Sequence, residues 1–302
     1  MVDFGRTILD SSFQSSSNVL VTCTTAVLGI FLAVFLFYRR SQAPALTREW
    51  QSFRVSDRFV ANPNSNRPVV FLTLHVSTLE LPTGAHVKLR AFKENGTEII
   101  RSYTPTRFNK GECEIMFRVY EKGEMTPLLE KKRIGDKVEM MGPTGLERYA
   151  TEGAGTFSRG SGKVWHGIKY IGMISGGTGI TPMLQISNHV LQDKFDKTKL
   201  SLLSFTNTVE DIMLADTLRS LALNSNGSLT LSFITTHVTT EELSKHSDII
   251  RGSMRSKSAD DLERLLNVPK GNETMICICG PEGFVKQSKQ LLQDRFENIL
   301  VW

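Results

Sequence analysis

Cysteine is scarce in this chain, which carries only four in 302 residues. Their number and spacing exclude a disulfide framework and a tetrahedral zinc site. The last two share one predicted strand, on which alternate side chains point the same way. This usage favours a reducing, cytosolic compartment, and we expect no metal site. The four are Cys23, Cys113, Cys277 and Cys279.

Long blocks of like charge are also missing. The longest is Lys131-Lys132-Arg133, which we interpret as the solvated end of a helix. The formal net charge of +5 is small and dispersed, which argues against a nucleic-acid partner. A mildly basic surface instead favours an acidic protein or an anionic membrane.

One apolar run has no charge at all. Residues 18–38 read NVLVTCTTAVLGIFLAVFLFY, and about 20 apolar residues are enough to cross a bilayer as a helix. The preceding segment lacks the basic flank of a signal peptide, so we prefer a membrane anchor to the alternative, a cleaved signal. Arg39, Arg40 and Arg48 follow the run. The positive-inside rule then places the rest of the chain in the cytosol, as a single-pass protein.

Short apolar stretches at regular spacing follow as far as about Arg148. They predict an antiparallel barrel or sandwich. Glu94-Asn95-Gly96, between two of these stretches, is typical of a tight hairpin. A helical stretch at 125–132 interrupts the strands. The glycine- and serine-rich segment at 151–162 predicts an irregular connection.

Strands and helices alternate in the remainder of the chain. KYIGMIS, LSLLSFT, LTLSFITT and TMICIC are strand-like, with helical stretches such as PMLQISNHVLQDKF between them. This alternation predicts a parallel sheet. The predicted fold is an N-terminal transmembrane helix, an antiparallel β-barrel and an α/β doubly wound parallel-sheet domain. Its parts are a tail at 1–17, the anchor at 18–38, a tether at 39–50, the barrel at 51–150, a connection at 151–166 and the parallel-sheet domain at 167–302.

Glycines follow the first strand of the second domain, at Gly176-Gly177-Thr178-Gly179. Glycine lets a backbone approach a phosphate closely. We predict that Thr181 caps the next helix and Pro182 is its first residue, so that free amides face an anion. The chain has neither the GxGxxG fingerprint nor a Walker loop here. By itself, such a turn is a tight turn about as often as a nucleotide site.

A second turn, Cys279-Gly280-Pro281, follows the last of the four strands. The carboxyl ends of the strands in an open α/β sheet border the ligand crevice. We therefore expect Cys279 at that crevice. The alternative is a buried cysteine that acts as a small apolar residue.

Two segments of the barrel also have the chemistry of an anion site. Arg101-Ser102-Tyr103-Thr104 ends a strand, where arginine can bind phosphate bidentately and tyrosine offers a flat face. The alternative is a solvated arginine at a strand end. Gly123-Glu124-Met125-Thr126 is a glycine turn that leads into a helix. Each signal is weak alone, but their order along the chain is specific.

That order resembles the NADH–cytochrome b5 reductase family of ferredoxin-NADP reductase-like flavoproteins. The resemblance covers about residues 84–302. It implies an FAD-binding barrel, a nucleotide-binding second domain, and an enzyme that takes hydride from NADH, with NADPH as an alternative. It also implies single-electron transfer to cytochrome b5 or a similar membrane haem protein, at the endoplasmic reticulum or mitochondrial outer membrane. The motifs are RxYT, GxMT, GDxVExxGPxG at 135–145, GGTGITPM and CGPE.

The resemblance assigns roles position by position. It implies that Thr104 lies beside the reactive nitrogen of the flavin ring and Cys279 beside the nicotinamide, as the two catalytic candidates. The implied FAD-binding residues are Arg101, Ser102, Tyr103, Thr104, Met116, Arg118, Gly123, Glu124, Met125, Thr126 and Thr181. Those implied for NAD(P)H are Gly176, Gly177, Thr178, Gly179, Cys279, Gly280 and Pro281.

The chain departs from the family at several of these positions. Ser102 replaces a proline, Arg118 a lysine, and Glu124 a lysine near the FAD pyrophosphate, so the backbone of Glu124 is the expected ligand. Thr235, Thr236 and His237 lie where the family has an acidic residue that repels a 2′-phosphate. We therefore expect NADH to be preferred over NADPH by a narrow margin.

Two other functions fit the same predicted fold. One is direct reduction of quinones, ferric chelates or small oxidants, and the other is a non-catalytic membrane scaffold. Intact RxYT and GGTGIT motifs argue against the scaffold. The chain lacks a haem motif and the cysteine spacing of an iron–sulfur cluster, so electrons must leave for a second molecule.

Overall fold

The computed structural model describes residues 46–302, apart from 64, 78–80, 110, 146, 151–154 and 161. The predicted anchor at 18–38 lies outside the described residues, as do the tail before it and most of the tether after it. Within the described part of the chain, no helix is long and apolar enough to cross a membrane.

The first domain is built on one antiparallel sheet. Its elements are β1 (Gln51–Val60), β2 (Val69–Val76), β3 (His86–Phe92), β4 (Glu98–Tyr103), β5 (Arg107–Asn109), β6 (Gly111–Arg118), helix α1 (Thr126–Glu130) and β7 (Lys137–Thr144). The strand order is β4-β3-β7-β1-β2-β6-β5. In the described residues this sheet does not close on itself, because β4 and β5 are its two edge strands. The predicted antiparallel barrel is therefore a half-barrel.

Alternating apolar side chains fill the concave core of the half-barrel, as a two-residue strand period requires. Phe53, Leu72, Ile115 and Met140 are fully buried there. The predicted hairpin joins β3 to β4. Helix α1 is shorter than the predicted stretch at 125–132, because it ends at Glu130, just before the basic run.

A third sheet, of three strands, overlaps the connection that we predicted at 151–166. Strands β8 (Glu147–Ala150), β9 (Gly155–Arg159) and β10 (Lys163–Ile168) pair antiparallel in the order β10-β9-β8. The prediction from composition was wrong, because burial of a few apolar side chains stabilises strands in this segment. Phe157 is fully buried, and its ring centroid lies 4.8 Å from that of Tyr149.

The second domain confirms the predicted parallel sheet. Its strands are β11 (Tyr170–Gly176), β12 (Lys199–Thr208), β13 (Leu229–His237), β14 (Ile249–Arg251), β15 (Thr274–Cys279) and β16 (Ile299–Val301). Its helices are α2 (Ile180–Gln192), α3 (Ala215–Asn224), α4 (Thr240–Lys245), α5 (Ala259–Leu266) and α6 (Glu282–Leu292). The central strands are almost wholly buried, as expected for a parallel sheet covered by helices on both faces.

The strand order β14-β13-β12-β11-β15-β16 creates a switch point. The chain moves outward from β11 to β14 and then returns to β15 on the other side of β11. Ligand crevices form at such points, beyond the carboxyl ends of the strands. Ser175 pairs with Cys279 in the register of β11 and β15, so the two glycine turns that follow are neighbours.

Hydrogen bonds join the half-barrel to the parallel-sheet domain. The Gly84 amide donates to Gln185 Oε1 at 2.7 Å, and Gln185 Nε2 donates to the Ala85 carbonyl at 3.3 Å. Trp302 Nε1 donates to the Gly84 carbonyl at 3.1 Å. These bonds hold the two domains in a fixed relation around the cleft between them.

Candidate functional site

Two adjoining clefts contain all the predicted site residues. The first has a volume of about 690 Å³ and the second about 770 Å³, and they share Arg118 and Tyr120. Lining the first are Arg101, Ser102, Tyr103, Thr104, Met116, Arg118, Gly123, Glu124, Met125, Thr126, Thr178, Gly179, Thr181, Cys279 and Gly280. Gly176, Gly177 and Pro281 line the second.

Arg101 is held by a carboxylate inside the first cleft. Its Nη2 donates to Glu124 Oε2 at 2.6 Å, and its Nη1 donates to the Ile100 carbonyl at 2.9 Å. Lys93 Nζ donates to the other oxygen of Glu124 at 2.6 Å. The hydrogen bond from Lys93 is the main cause that lowers the pKa of the Glu124 carboxyl, and Arg101 adds to it. Glu124 is therefore a carboxylate bridging two cations.

Tyr103 ends β4 with its ring turned towards the core of the half-barrel. Its centroid lies 6.5 Å from that of Phe117 in an edge-on arrangement. Burial raises the pKa of the Tyr103 phenol, so the hydroxyl stays protonated at neutral pH. The residue is fixed by packing and offers the cleft an uncharged polar edge.

Arg118 connects the two domains from the wall of both clefts. It is buried at the end of β6, forms an ion pair with Asp211, and donates through Nη2 to the Asp211 carbonyl at 2.9 Å. Arg67 lies 3.5 Å from the same carboxylate. Most of the guanidinium thus secures the domain interface, and the buried Nε remains a donor without a partner among the described residues.

The turn after β11 differs from the prediction at Thr181 and Pro182. A 3₁₀ helix at Gly177–Gly179 precedes α2, which begins at Ile180. Thr181 therefore lies in the first helical turn, where its hydroxyl donates to the Thr178 carbonyl at 3.2 Å, and Pro182 is the third helical residue. The predicted cap is wrong, because the 3₁₀ turn starts the helical path earlier and no side chain caps α2.

Gly179 shows that part of the glycine signal has a structural cause. A methyl group at this position would overlap the Cys279 carbonyl group and come within 2.7 Å of the Gly280 amide nitrogen. Only glycine allows the turns after β11 and β15 to approach backbone to backbone. This contact closes the floor of the first cleft.

Cys279 lies at the crevice edge, as predicted. It is half-buried and lines the first cleft, whereas Cys277, two residues earlier on the same strand, is fully buried. Burial raises the pKa of the Cys279 thiol to about 12. The thiol is therefore uncharged at neutral pH and is not a thiolate nucleophile.

Several residues that line the clefts carry no motif, and the sequence did not predict them. In the first cleft these include His86, Tyr120 and Trp302. Asp211 and Arg255 line the second cleft. Trp302 follows a short apolar strand, and an aromatic residue in that position is the only local signal that could have indicated a role.

The second cleft extends over the carboxyl ends of β12 and β13. Hydroxyl groups of Thr206, Thr236 and Ser253 line it together with Arg255. Arg255 is exposed and forms no ion pair with any described residue. Asp211 is the only carboxylate among the lining residues, and it is engaged by Arg118 and Arg67.

Two models of known protein families match separate parts of the chain. A model described as an oxidoreductase FAD-binding domain matches residues 52–149, and one described as an oxidoreductase NAD-binding domain matches residues 173–290. Fold, clefts and matches define the chain as a two-domain oxidoreductase that uses FAD and a nicotinamide nucleotide.

Curated relatives identify the family. NADH-cytochrome b5 reductase 1 of Bos taurus is 33% identical over 282 residues, which cover 86% of this chain and 87% of the bovine protein. NADH-cytochrome b5 reductase 2 of Gallus gallus is 34% identical over 223 residues, which cover 69% of each protein. The chain belongs to the NADH–cytochrome b5 reductase family.

A solved structure supports the fold. The cytochrome b5 reductase domain of Ulva prolifera nitrate reductase is similar with a TM-score of 0.73 at 24% identity. The match covers 86% of this chain and 100% of that domain.

The residues of the first cleft fit FAD. A flat aromatic group has room in a cavity of about 690 Å³ beside Tyr103 and Trp302. Arg101 supplies a cation for a phosphate, and the unpartnered Nε of Arg118 supplies a buried donor. Both requirements of a flavin dinucleotide, an apolar face and charge-assisted donors, are therefore present.

Proposed function

We propose that this enzyme takes hydride from NADH onto FAD and passes electrons singly to cytochrome b5 or a similar membrane haem protein, with NADPH as a poorer reductant. The observation that carries the proposal is one cleft in which the half-barrel contributes Arg101 and Thr104 and the parallel sheet contributes Cys279. The names of the bovine and chicken relatives support the reductant and the acceptor.

The half-barrel residues would hold FAD. Arg101 and the backbone of the turn at Gly123 would bind the pyrophosphate, and Thr104 would lie at the reactive edge of the ring. FAD supplies the conversion of a two-electron hydride into single electrons. The further ligands we assign are Ser102, Tyr103, Met116, Arg118, Glu124, Met125, Thr126 and Thr181.

The two turns of the parallel sheet would hold the nicotinamide nucleotide. Gly176, Gly177, Thr178 and Gly179 would approach its phosphates, with Cys279, Gly280 and Pro281 beside the nicotinamide. The neutral thiol of Cys279 would orient the ring and exclude water without moving a proton. Hydride transfer needs such positioning, because small misplacement of the reacting atoms is costly.

The anchor at residues 18–38 would confine the enzyme to the cytosolic face of the endoplasmic reticulum or the mitochondrial outer membrane. Confinement to one surface shortens the search for an acceptor that is also bound to a membrane. The net charge of +5 would favour an acidic acceptor and speed its approach.

Steady-state reduction of cytochrome b5 by the full-length enzyme tests the reaction. We expect turnover with NADH and slower turnover with NADPH. Turnover of ferricyanide or a quinone without turnover of cytochrome b5 would favour direct reduction of small oxidants. A purified protein without flavin absorbance would favour the non-catalytic scaffold.

Removal of the first 40 residues tests the anchor. We expect residues 41–302 to reduce ferricyanide as fast as the full chain, because the small oxidant needs no membrane. The truncated enzyme should reduce membrane-bound cytochrome b5 more slowly than the full chain. The rate with cytochrome b5 should also fall as ionic strength rises, since salt screens long-range attraction. A rate independent of salt would reject electrostatic steering.

A further inference from the structure

Three charged side chains form a bridge over one edge of the first cleft. Lys93 lies in the hairpin between β3 and β4, Arg101 lies on β4, and Glu124 lies in the turn before α1. Both ion pairs measure 2.6 Å. The side chains of Lys93, Glu124 and Arg101 are 39%, 47% and 52% exposed, so they can exchange partners without repacking the core.

The bridge is asymmetric with respect to the cleft. Arg101 and Glu124 line the cleft, whereas Lys93 does not. The backbone of Lys93 is fixed, because its amide donates to the Thr97 carbonyl at 2.9 Å and its carbonyl accepts from the Gly96 amide at 2.9 Å. Lys93 therefore attracts the carboxylate of Glu124 from a side chain that starts at an ordered backbone outside the cleft.

We infer that Glu124 restricts access of a pyrophosphate to Arg101, and that Lys93 is the positioning residue that draws the Glu124 carboxylate away. The inference rests on the proposed binding of the FAD pyrophosphate at Arg101. Glu124 and the pyrophosphate are both anions, and they compete for one guanidinium. With Lys93 present, Glu124 can release Arg101 and keep an ion pair.

The charges of these three side chains determine how much FAD affinity should change when one of them is removed. Two unit charges a few ångströms apart at an exposed protein surface interact strongly enough to change an affinity up to about fivefold. Lys93, Arg101 and Glu124 together carry one net positive charge. Removing the acid leaves two positive charges for the pyrophosphate, and removing Lys93 leaves Glu124 on Arg101 alone.

Release of FAD from the holoenzyme on dilution, followed by flavin fluorescence, gives the dissociation constant for each variant. We expect Glu124→Gln to bind FAD about fivefold more tightly and Lys93→Met about fivefold more weakly. In a Glu124→Gln background, Lys93→Met should change the affinity less than about twofold, because no carboxylate remains to be drawn away.

A matched ion pair elsewhere controls for general charge effects. Lys169 and Glu273 are also 2.6 Å apart and exposed, at the opposite ends of β11 and β15 from the clefts. Lys169→Met and Glu273→Gln should leave FAD affinity unchanged. Thermal unfolding of every variant checks that the fold is retained.

Three results would overturn the inference. Weaker FAD binding by Glu124→Gln would make the Glu124 carboxylate a ligand of FAD instead of a competitor. An equal effect of Lys93→Met in both backgrounds would mean that Lys93 acts on FAD without Glu124. Unchanged affinity in both single variants would make the bridge irrelevant. Failure of the proposed FAD site itself is distinguishable, since Arg101→Ala would then keep its flavin whatever the other variants do.

Discussion

The two clefts differ in how the protein balances its own charges. In the first, Arg101 is paired with Glu124, and both side chains line that cleft. Arg118 lines both clefts and is paired with Asp211, which lines the second. In the second, Arg255 lines the wall without an ion pair among the described residues. Affinity in the first cleft therefore depends on competition within the protein. In the second cleft, no carboxylate of a described residue competes with the phosphates of the nucleotide for Arg255.

The largest effect should come from Arg101→Ala in the first cleft. The pyrophosphate would lose a charge-assisted partner, a loss of roughly 1.5–3 kcal/mol, or about 10- to 150-fold in FAD affinity. Flavin content of the purified protein and FAD titration measure it. Arg107→Ala is the matched control, because Arg107 also forms an exposed 2.6 Å ion pair, with Glu112 on β6. Equal flavin content in the two variants would remove Arg101 from the site.

Gly179→Ala should destabilise the floor of the first cleft. The added methyl group would meet the Cys279 carbonyl and the Gly280 amide, and backbone cannot move aside as a side chain can. We expect a loss of about 1–3 kcal/mol in the free energy of unfolding. Gly162→Ala is the control, since a methyl group there would have no atom of a described residue within 4 Å apart from its chain neighbours. Similar melting temperatures for the two variants would contradict the close approach.

Two alanine variants on β15 should distinguish a functional cysteine from one that only packs in the core. They are Cys279→Ala and Cys277→Ala. We expect Cys279→Ala to keep FAD and slow flavin reduction by NADH about tenfold, because positioning of the nicotinamide suffers. Cys277→Ala should instead cost about 1 kcal/mol of stability and leave that rate unchanged. Rapid mixing and thermal unfolding measure the two effects. A wild-type rate for Cys279→Ala would make Cys279 a packing residue as well.

The burial of the Cys279 thiol also predicts how flavin reduction depends on pH. Because the pKa of the Cys279 thiol is raised to about 12, the thiol stays protonated across the neutral range. We expect no inflection from this residue between about pH 6 and pH 9. An inflection near the ordinary thiol pKa that disappears in Cys279→Ala would contradict this.

The smallest effects should concern the choice of nucleotide in the second cleft. Thr236→Asp should lower kcat/KM for NADPH about two- to fivefold relative to NADH, because exposed charges are worth about 0.2–1 kcal/mol. Arg255→Ala should do the same by removing an attraction. Neither should alter FAD content. Equal or better efficiency of the wild type with NADPH would overturn the expected preference for NADH.

Local patterns predicted much of this molecule. The alternation of strands with helices indicated the parallel sheet, and the Glu94-Asn95-Gly96 turn indicated a hairpin. Each depends on a few neighbouring residues whose backbone preferences are strong. The third sheet was missed, because burial of Phe157 outweighs the glycine and serine around it.

Long-range pairs could not be predicted. Arg118 and Asp211 are 93 residues apart, and Arg101 and Glu124 are 23 apart. An ion pair between distant segments has no local signature, since any exposed acid could serve. The cap assigned to Thr181 was wrong because the 3₁₀ turn at Gly177–Gly179 leads directly into α2, which begins at Ile180.

Rapid mixing with both reaction partners tests the central proposal most directly. The full-length enzyme is first reduced with NADH under anaerobic conditions and then mixed with excess oxidised cytochrome b5. We predict that flavin absorbance is lost in the first step and returns in the second at the rate at which the haem is reduced. Flavin that NADH does not reduce, or reduced flavin that persists beside oxidised cytochrome b5, would contradict the account.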